Sequence, residues 1–342
     1  MGIAPNFVEF GMLAALVLAT LLQTGAATSI QALPPPMLAP PQQVAADTFV
    51  LRGVPQPGRG PDGNVTILRA PQGLVVVDTG RHIWMSDAIL AYARDAHEPI
   101  VAIVNTHWHL DHSSGNIRLK AAYPNARVYT TNAISRALAP GGFLARDAAN
   151  IPGYLASSQL SDLQKDEVRI FAATMENSDS LRPDVMLNHS RTTRIGGRGF
   201  DVHVTNHAVT DADVWLYDRA TRVAIIGDLV TLYVPFFETA CPREWSQTLD
   251  EVWATPFTAA IPGHGPTMTR DQFNIYRSAY NAFIDCVRSD VEAARCGRDW
   301  ADGIASLTPD PGRHDAIADN AVYYVGMLRE HGGKSADCQL AS

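Results

Sequence analysis

The side chains of this sequence that are best suited to chemistry lie in one short stretch, Thr106 to His112, which reads THWHLDH. In an extended segment, residues two apart point in the same direction, so His107 and His109 can offer their imidazoles to one metal ion. Asp111 and His112 follow where the chain turns, and they can reach a second metal ion. Imidazole nitrogens with a carboxylate oxygen suit zinc and require no thiolate. The stretch therefore predicts a metal site.

Three later motifs each add one residue that can bind a metal. His207 follows an alternating, strand-like run, and Asp228 follows an apolar run and a glycine in the sequence IIGD. His264 lies in the sequence PGHG. Histidine and aspartate are both zinc ligands.

These motifs, in this order, resemble those of the metallo-β-lactamase superfamily, and the resemblance spans roughly residues 47–269. It implies an α/β fold, a four-layer αββα sandwich, and two Zn²⁺ ions as cofactors. Asp228 would bridge the two ions. The resemblance assigns the other ligands as follows: His107, His109 and His207 to the first zinc, and Asp111, His112 and His264 to the second.

The resemblance also implies a hydrolase that uses a metal-bridging hydroxide to cleave an ester, lactone, thioester or amide of a small molecule, a β-lactam included. Asp111 would orient the hydroxide and carry its proton, which makes it the catalytic residue. Asp78, in the sequence VVVDTG, corresponds to a family aspartate that supports a metal-binding histidine or the metal loop. A simple turn residue is the alternative. Tyr233 could line the substrate cleft and donate to an oxyanion, and a packed tyrosine is the alternative.

Two other kinds of function remain open on the same scaffold: a metal-dependent oxygenase or redox protein, and a non-catalytic accessory protein that keeps a metal. Redox relatives generally carry a glutamate where His109 stands, and degenerate members usually lose ligands that this chain retains. Asp228 stands where the common plasmid-type β-lactamases carry a cysteine. A hydrolase of carbonyl substrates is therefore the favoured function.

The elements that must position these residues are strands followed by helices. The β-rich runs DTFVLRG, NVTILRA and GLVVVDTG are separated by Gly/Pro clusters, and the apolar run 100–104 leads directly into the histidine motif. Strand, loop and helix in this order build a site on the rim of a sheet. We expect helices over about 84–96, 272–294 and 316–330.

The sequence predicts four parts. Residues 1–32 contain the apolar run GMLAALVLATLL followed by small residues, which predicts a signal peptide, although no Lys or Arg precedes the run. Residues 33–46 form a proline-rich tether. The hydrolase domain follows over 47–310, with an insertion near 123–198, and 311–342 form a C-terminal helical extension. We expect an exported protein, periplasmic or secreted, with no stable membrane partner after signal removal.

The charge and the cysteines are consistent with that expectation. A net charge of −8 and the lack of a Lys/Arg cluster argue against a nucleic-acid partner, which leaves a small-molecule substrate. The chain has four cysteines, so two disulfides with three possible connectivities suit an oxidising compartment. Cys286 and Cys296 need only a short loop between them, which would leave Cys241 with Cys338. Four separate buried thiols are the alternative.

Overall fold

Two β-sheets lie face to face between layers of helices in the computed structural model, which describes residues 36–338. The first sheet runs in the order β1-β2-β3-β4-β5-β6-β7: Gln42–Ala45, Thr48–Leu51, Val65–Ala70, Gly73–Val77, Ile100–Val104, Arg127–Thr130 and Val185–Met186. The second runs β13-β12-β11-β10-β9-β8, and its strands β8 to β13 are Arg191–Ile195, Arg198–Thr205, Asp213–Asp218, Val223–Thr231, Ala259–His264 and Met268–Thr269.

The helices cover the outer faces of the sheets and fill the segment between β6 and β7. In chain order, α1 to α11 are Ile83–Ala96, Leu110–Ser113, Asn116–Ala122, Ala133–Ala137, Phe143–Ala149, Ile151–Ala156, Asp162–Glu176, Pro242–Ala254, Arg270–Val287, Ala293–Gly303 and His314–Glu330. Three short 3₁₀ turns lie at Ser178–Leu181, Ala305–Leu307 and Pro311–Arg313.

Strand β4 shows why the molecule has four layers. Its apolar side chains alternate, so Val75 and Val77 pack against the second sheet while Leu74 and Val76 pack against α1. In the second sheet, Ala224 and Trp215 face away from the first sheet and pack against the C-terminal helices. Both sheets are thus apolar on both faces, which requires a helical layer outside each one. The predicted αββα sandwich is confirmed.

Parallel strand pairs bring the motifs to one rim. β4 runs parallel to β5, so the residues that follow them, Asp78 and Thr106, lie side by side. β11 runs parallel to β12, which places Asp228 beside the end of β12 and its His264. The two sheets are joined at this rim by the bond from the Val214 N–H to the Thr106 carbonyl, at 2.6 Å. Chain segments that are distant in sequence therefore meet at one edge of the sandwich.

Three boundaries differ from the sequence prediction. Residues 42–45 of the predicted tether form β1, which pairs with β2 and extends the first sheet. The predicted insertion is narrower than 123–198, because β6, β7 and β8 belong to the sheets and only the helical segment between β6 and β7 lies outside them. The helix predicted over 272–294 is two helices, α9 and α10, separated by 288–292.

The C-terminal extension predicted over 311–342 is not an appendage. Ile317, Tyr324 and Leu328 of α11 are buried in the same core cluster as the helices that cover the second sheet. The burial of each such side chain stabilises the fold by about 1.5–3 kcal/mol. The predicted signal peptide, 1–32, lies outside the described residues.

The two disulfides have the predicted connectivity in which one bridge closes a short loop. Cys286 pairs with Cys296 and Cys241 with Cys338, with Cα–Cα distances of 5.7 and 5.2 Å. The second bridge ties the tail after α11 to the segment that precedes α8. Within residues 36–338, no helix is both long enough and apolar enough to cross a membrane.

Candidate metal centre

Six of the seven candidate ligands form two neighbouring groups at the rim. In each group the potential ligand atoms all lie within 4.8 Å of one another. The first group contains His107, His109 and Asp228, and the second contains Asp111, His112 and His264. All except His264 are buried, and His264 is partly exposed. The structure therefore brings together residues as distant in sequence as His107 and His264, which are 157 positions apart.

Asp228 lies between the two groups. Its Oδ2 is 3.6 Å from His107 Nε2 in the first group. Its Oδ1 is 3.0 Å from His112 Nε2 and 3.5 Å from His264 Nε2 in the second. One carboxylate thus presents one oxygen to each group, which is the arrangement that a bridging ligand requires.

Hydrogen bonds select the free nitrogen of the histidines in the first group. His107 Nδ1 is 2.9 Å from the Thr106 hydroxyl, so its Nε2 is left to face the centre. His109 Nε2 is 2.9 Å from the Thr239 hydroxyl, which itself donates to the Val209 carbonyl. That hydroxyl must then accept from His109 Nε2–H, which leaves Nδ1 as the unprotonated nitrogen. Such supporting bonds fix the tautomer and orientation of metal-binding histidines.

Asp78 supports both groups at once. Its Oδ2 is 2.9 Å from His112 Nδ1 and accepts the Thr106 hydroxyl at 2.8 Å. Because the same hydroxyl is bonded to His107 Nδ1, Asp78 also helps to fix the orientation of His107. Its Oδ1 accepts the backbone N–H of Thr106 at 2.8 Å. Asp78 has a φ of 59°, a conformation that costs free energy for a non-glycine residue and that these bonds hold in place.

The glycine of PGHG leaves room for the bridging carboxylate. A Cβ on Gly263 would lie 1.8 Å from Asp228 Oδ1. A side chain at this position would therefore displace the carboxylate, and this explains the glycine before His264 in physical terms.

The electrostatics favour neutral imidazoles in the first group and ionised carboxylates throughout. Burial lowers the pKa of His107 and of His109, the latter to about 4. Burial would raise the pKa of Asp111 and of Asp228, but the charges of His112 and His264 and the hydrogen bonds to these carboxylates together outweigh it and lower both. The first group thus offers neutral imidazoles, and both groups offer negative oxygens, a set suited to a cation.

Several buried ligand atoms have no hydrogen bond among the described residues, which is the observation that tests the fit of a metal. These atoms are Nε2 of His107, Oδ1 of Asp228 and Nδ1 of His207. Orphaned buried polar atoms are rare in native proteins and require a partner. Nitrogen and oxygen donors without sulfur are compatible with zinc in this geometry.

His207 is the candidate ligand outside both groups. It lies in the loop after β9 with a φ of 64°, and its backbone N–H donates to the Asp211 carbonyl at 3.3 Å. Thr239, which bonds His109, also bonds the Val209 carbonyl in this loop. The loop is therefore tied to the first group, and the unpaired Nδ1 of His207 is the atom that it could contribute.

No hydrogen bond joins the Tyr233 side chain to the two ligand groups among the described residues. Its ring lies under the guanidinium of Arg313, 5.0 Å from the ring centroid, and its carbonyl accepts the indole N–H of Trp300 at 3.1 Å. It packs against the core beneath the second sheet. These contacts correspond to the alternative of a packed tyrosine.

Sequence analysis did not identify Thr106 and Thr239 as supporting residues. Thr106 adjoins His107, so its position in the motif could have indicated the role. Thr239 is 130 residues from His109, and no feature of the sequence connects the two.

Comparison with known proteins gives matches over most of the chain. A family model described as the metallo-beta-lactamase superfamily matches residues 58–292. A linear primary-alkylsulfatase from Pseudomonas sp. is 26% identical over 218 residues, which are 58% of this chain and 40% of that relative. The chain therefore aligns with less than half of the length of that relative.

Among solved structures, a metallo-beta-lactamase family protein from Thermus thermophilus has a TM-score of 0.56 at 16% identity, covering 84% of this chain and 94% of the other. The stereoselective inverting sec-alkylsulfatase from Pseudomonas sp. has a TM-score of 0.55 at 19% identity, covering 83% and 50%. At these identities the likeness shows the fold alone.

Proposed function

The chain belongs to the metallo-β-lactamase superfamily, and we propose that it is a metal-dependent hydrolase that binds two zinc ions and cleaves an ester, lactone, thioester or amide of a small molecule. A β-lactam is included among these substrates. The observation that carries the proposal is the position of Asp228, whose two oxygens face two separate sets of buried ligands.

In this proposal each set holds one ion. His107 and His109 would bind the first with His207, whose Nδ1 is buried and unpaired. Asp111, His112 and His264 would bind the second, with Asp228 shared between them. Zinc, when bound, would lower the pKa of water towards neutrality and polarise the carbonyl oxygen next to the bond to be cleaved.

Asp111 is the residue proposed to act on the proton of the attacking water. Its Oδ2 lies 3.0 Å from His264 Nε2, and although burial would raise its pKa, His112 and His264 together keep that pKa below the usual range. The carboxylate is therefore ionised at neutral pH and able to hold a proton during the reaction. Asp78 and Thr239 would hold the ligating histidines in their orientation.

Hydrolysis of a sulfate ester is the second candidate. The observation in its favour is the 26% identity to the linear primary-alkylsulfatase over 218 residues. An alkyl sulfate is an ester whose anionic group would lie at the cationic centre, so the same ligand set could serve it.

We further propose that the protein acts outside the cytoplasm, in the periplasm or after secretion. Two disulfides within the described residues support this location, because such bridges persist in oxidising compartments. The net charge of −8 supports a small molecule, rather than a nucleic acid, as the partner.

The test is a panel of substrates offered to the zinc-loaded protein: a chromogenic cephalosporin, a neutral p-nitrophenyl ester, a lactone, a thioester and a primary alkyl sulfate. We expect turnover of at least one substrate, loss of turnover in chelator and in His109→Ala, and two zinc ions per chain by metal analysis. His189→Ala is the matched control, because that histidine is exposed. Two bound zinc ions without turnover of any substrate would contradict the proposed hydrolysis, and bound iron would favour the redox alternative.

A further inference from the structure

Arg81 is a buried cation without a hydrogen-bonded acceptor. Its side chain is 11% exposed, and its contact with a carboxylate is an ion pair of 3.6 Å from Nη1 to Oε2 of Glu167. That distance is too long for a hydrogen bond. Its Nε is fully buried and has no acceptor either. Among residues 36–338, therefore, no group accepts a hydrogen bond from this guanidinium.

Arg198 shows how the same protein treats another arginine of equal burial. Its side chain is 12% exposed, and its guanidinium donates to the Asp218 carboxylate, to the Thr48 hydroxyl and to two backbone carbonyls. A largely buried charged group without such partners is destabilising. The guanidinium of Arg81 is therefore free to bind an acceptor from outside the protein chain.

Glu167 does not serve as that acceptor, because its two oxygens already bind other cations. Its Oε1 is 3.0 Å from Arg59 Nη1 and 3.0 Å from His82 Nε2, and its Oε2 is 3.1 Å from the same His82 nitrogen. Burial would lower the pKa of His82, but its hydrogen bonds to Asp62 and Glu167 outweigh burial and raise it. Two carboxylates thus face two arginines and a histidine with a raised affinity for a proton.

Arg81 is held next to the metal centre. It follows a turn whose backbone is bonded to the metal loop: Thr79 N–H donates to the His112 carbonyl at 2.8 Å, and Gly115 N–H donates to the Gly80 carbonyl at 2.9 Å. In the neighbouring loop, Gly63 N–H donates to the Asp111 carbonyl at 3.0 Å, and the Asp62 carboxylate accepts the Arg81 backbone N–H at 2.7 Å. These bonds hold Arg81 beside the metal loop.

The chain also keeps space for this guanidinium. A Cβ on Gly60 would lie 2.2 Å from Arg81 Nη1 and 3.0 Å from Glu167 Oε2. The glycine therefore allows the arginine to occupy its present position.

We propose that Arg81 binds an oxyanion of the substrate, a carboxylate or a sulfate group, beside the metal centre, so that the substrate of this hydrolase is an anion. The inference rests on the proposed function and narrows its substrate class. An arginine fork presents parallel N–H donors that match the two oxygens of such a group.

The first experiment measures binding rather than turnover. Inorganic sulfate and, separately, acetate are titrated into the zinc-loaded protein by calorimetry. We expect at least one of them to bind, and the affinity to fall by about tenfold or more in Arg81→Gln. Arg169→Gln is the matched control, because that arginine is 60% exposed on the same helix as Glu167 and should leave binding unchanged. Equal affinity in the wild type and Arg81→Gln, or no binding to the wild type, would overturn the proposal. A preference for sulfate or for acetate identifies the oxyanion.

Gly60→Ala keeps the proposal testable if Arg81→Gln does not fold. It retains every charge but displaces the guanidinium, so the anion affinity should fall as it does in Arg81→Gln. Arg81→Lys should restore part of the affinity, because it keeps the charge without the fork. Unchanged anion affinity in a folded Gly60→Ala protein would count against the inference.

Kinetics separate this inference from the proposed function. The neutral p-nitrophenyl acetate is compared with the anionic mono-p-nitrophenyl succinate and with a primary alkyl sulfate. Arg81→Gln should lower kcat/KM for an anionic substrate by about tenfold or more and leave the neutral ester nearly unchanged. An equal loss for neutral and anionic substrates would contradict a role in anion binding. If the wild type hydrolyses none of these and none of the earlier panel, the proposed function fails, while the titrations still decide whether Arg81 binds anions.

Discussion

Two buried clusters of histidine and carboxylate lie close together in this molecule, and their histidines are used differently. In the first, the metal centre, His107 has Nδ1 bound to the Thr106 hydroxyl while its buried Nε2 has no hydrogen bond. In the second, which we call the Glu167 cluster, His82 lies between Asp62 and Glu167 with Arg59 and Arg81 beside it. His82 bonds a carboxylate at each ring nitrogen, Asp62 at 2.8 Å and Glu167 at 3.0 Å.

The contrast between His107 and His82 shows how hydrogen bonding sets the protonation of a buried histidine. A histidine with both nitrogens bound to carboxylates is stabilised in its protonated form, and the pKa of His82 is accordingly raised. One that keeps a buried nitrogen free is stabilised as the neutral base, and burial lowers the pKa of His107 well below its usual value. The free nitrogen of His107 is therefore the one that can offer a lone pair to a metal, whereas both nitrogens of His82 are already engaged.

Removal of the shared carboxylate should give the largest effect. Asp228→Ala deprives both ligand groups of an oxygen, so we expect loss of bound zinc and a fall in activity of more than about 100-fold. Metal analysis and steady-state kinetics measure both. His82→Gln should keep both metals, although it weakens the fold. Zinc loss in His82→Gln equal to that in Asp228→Ala would remove the distinction between the clusters.

Neutralising Glu167 should affect stability instead. Glu167→Gln leaves the buried cations of its cluster with weaker partners, so we expect the free energy of unfolding to fall by about 2–4 kcal/mol with zinc content unchanged. Urea unfolding measures the change, and Glu176→Gln, exposed at the end of the same helix, is the control. A loss below about 0.5 kcal/mol would mean that the cluster contributes little.

The same substitution should also change the response to acid. Burial would raise the pKa of Glu167, but its bond to His82 and its nearby arginines lower it to about 2. A depressed folded-state pKa stabilises the protein above the unfolded value of about 4.5, and that stability is lost as pH falls towards about 2. The free energy of unfolding, plotted against pH over this range, should therefore change less for Glu167→Gln than for the wild type. An equal pH dependence in the two proteins would contradict the depressed pKa of Glu167.

Loss of the hydroxyl that holds His109 should have a smaller effect. Thr239→Val removes the acceptor for His109 Nε2–H, so we expect zinc affinity to fall by about 10- to 100-fold. Competition with a fluorescent chelator measures the affinity. Thr308→Val is the control, because that buried hydroxyl bonds only a carbonyl of its own turn. Unchanged affinity in Thr239→Val would show that the fold orients His109 without this bond.

The smallest effect is expected at Glu238, a carboxyl without a cationic partner. Burial and the negative charges of Asp147 and Asp337 raise its pKa to about 8. Because this pKa lies above the unfolded value, the protein loses stability as pH rises from about 4.5 to about 8. Glu238→Gln should remove that loss and raise the melting temperature at about pH 8 by a few degrees, with little change at about pH 5. An equal shift at both pH values would mean that Glu238 titrates normally.

The local spacing of residues was sufficient to predict much of this protein. Alternation along a strand makes His107 and His109 neighbours, and the apolar runs before them predict the sheets that carry them. The family resemblance supplied the later motifs, and the structure places Asp228 and His264 beside that pair. The resemblance also implied the four-layer fold, and the structure gives its physical reason, since both faces of strands such as β4 are apolar.

Contacts between distant segments were decided only by the tertiary structure. Thr239 reaches His109 across 130 residues, and Glu167 reaches His82 across 85. The lack of a hydrogen-bond acceptor for the guanidinium of Arg81 depends on how these segments fold together. The burial of α11 in the main core depends on it as well. A hydrogen bond depends on angle and distance in space, whereas a sequence fixes spacing only along the chain. The sequence thus determined which groups could bind a metal, and the fold decided which of their atoms remain free to do so.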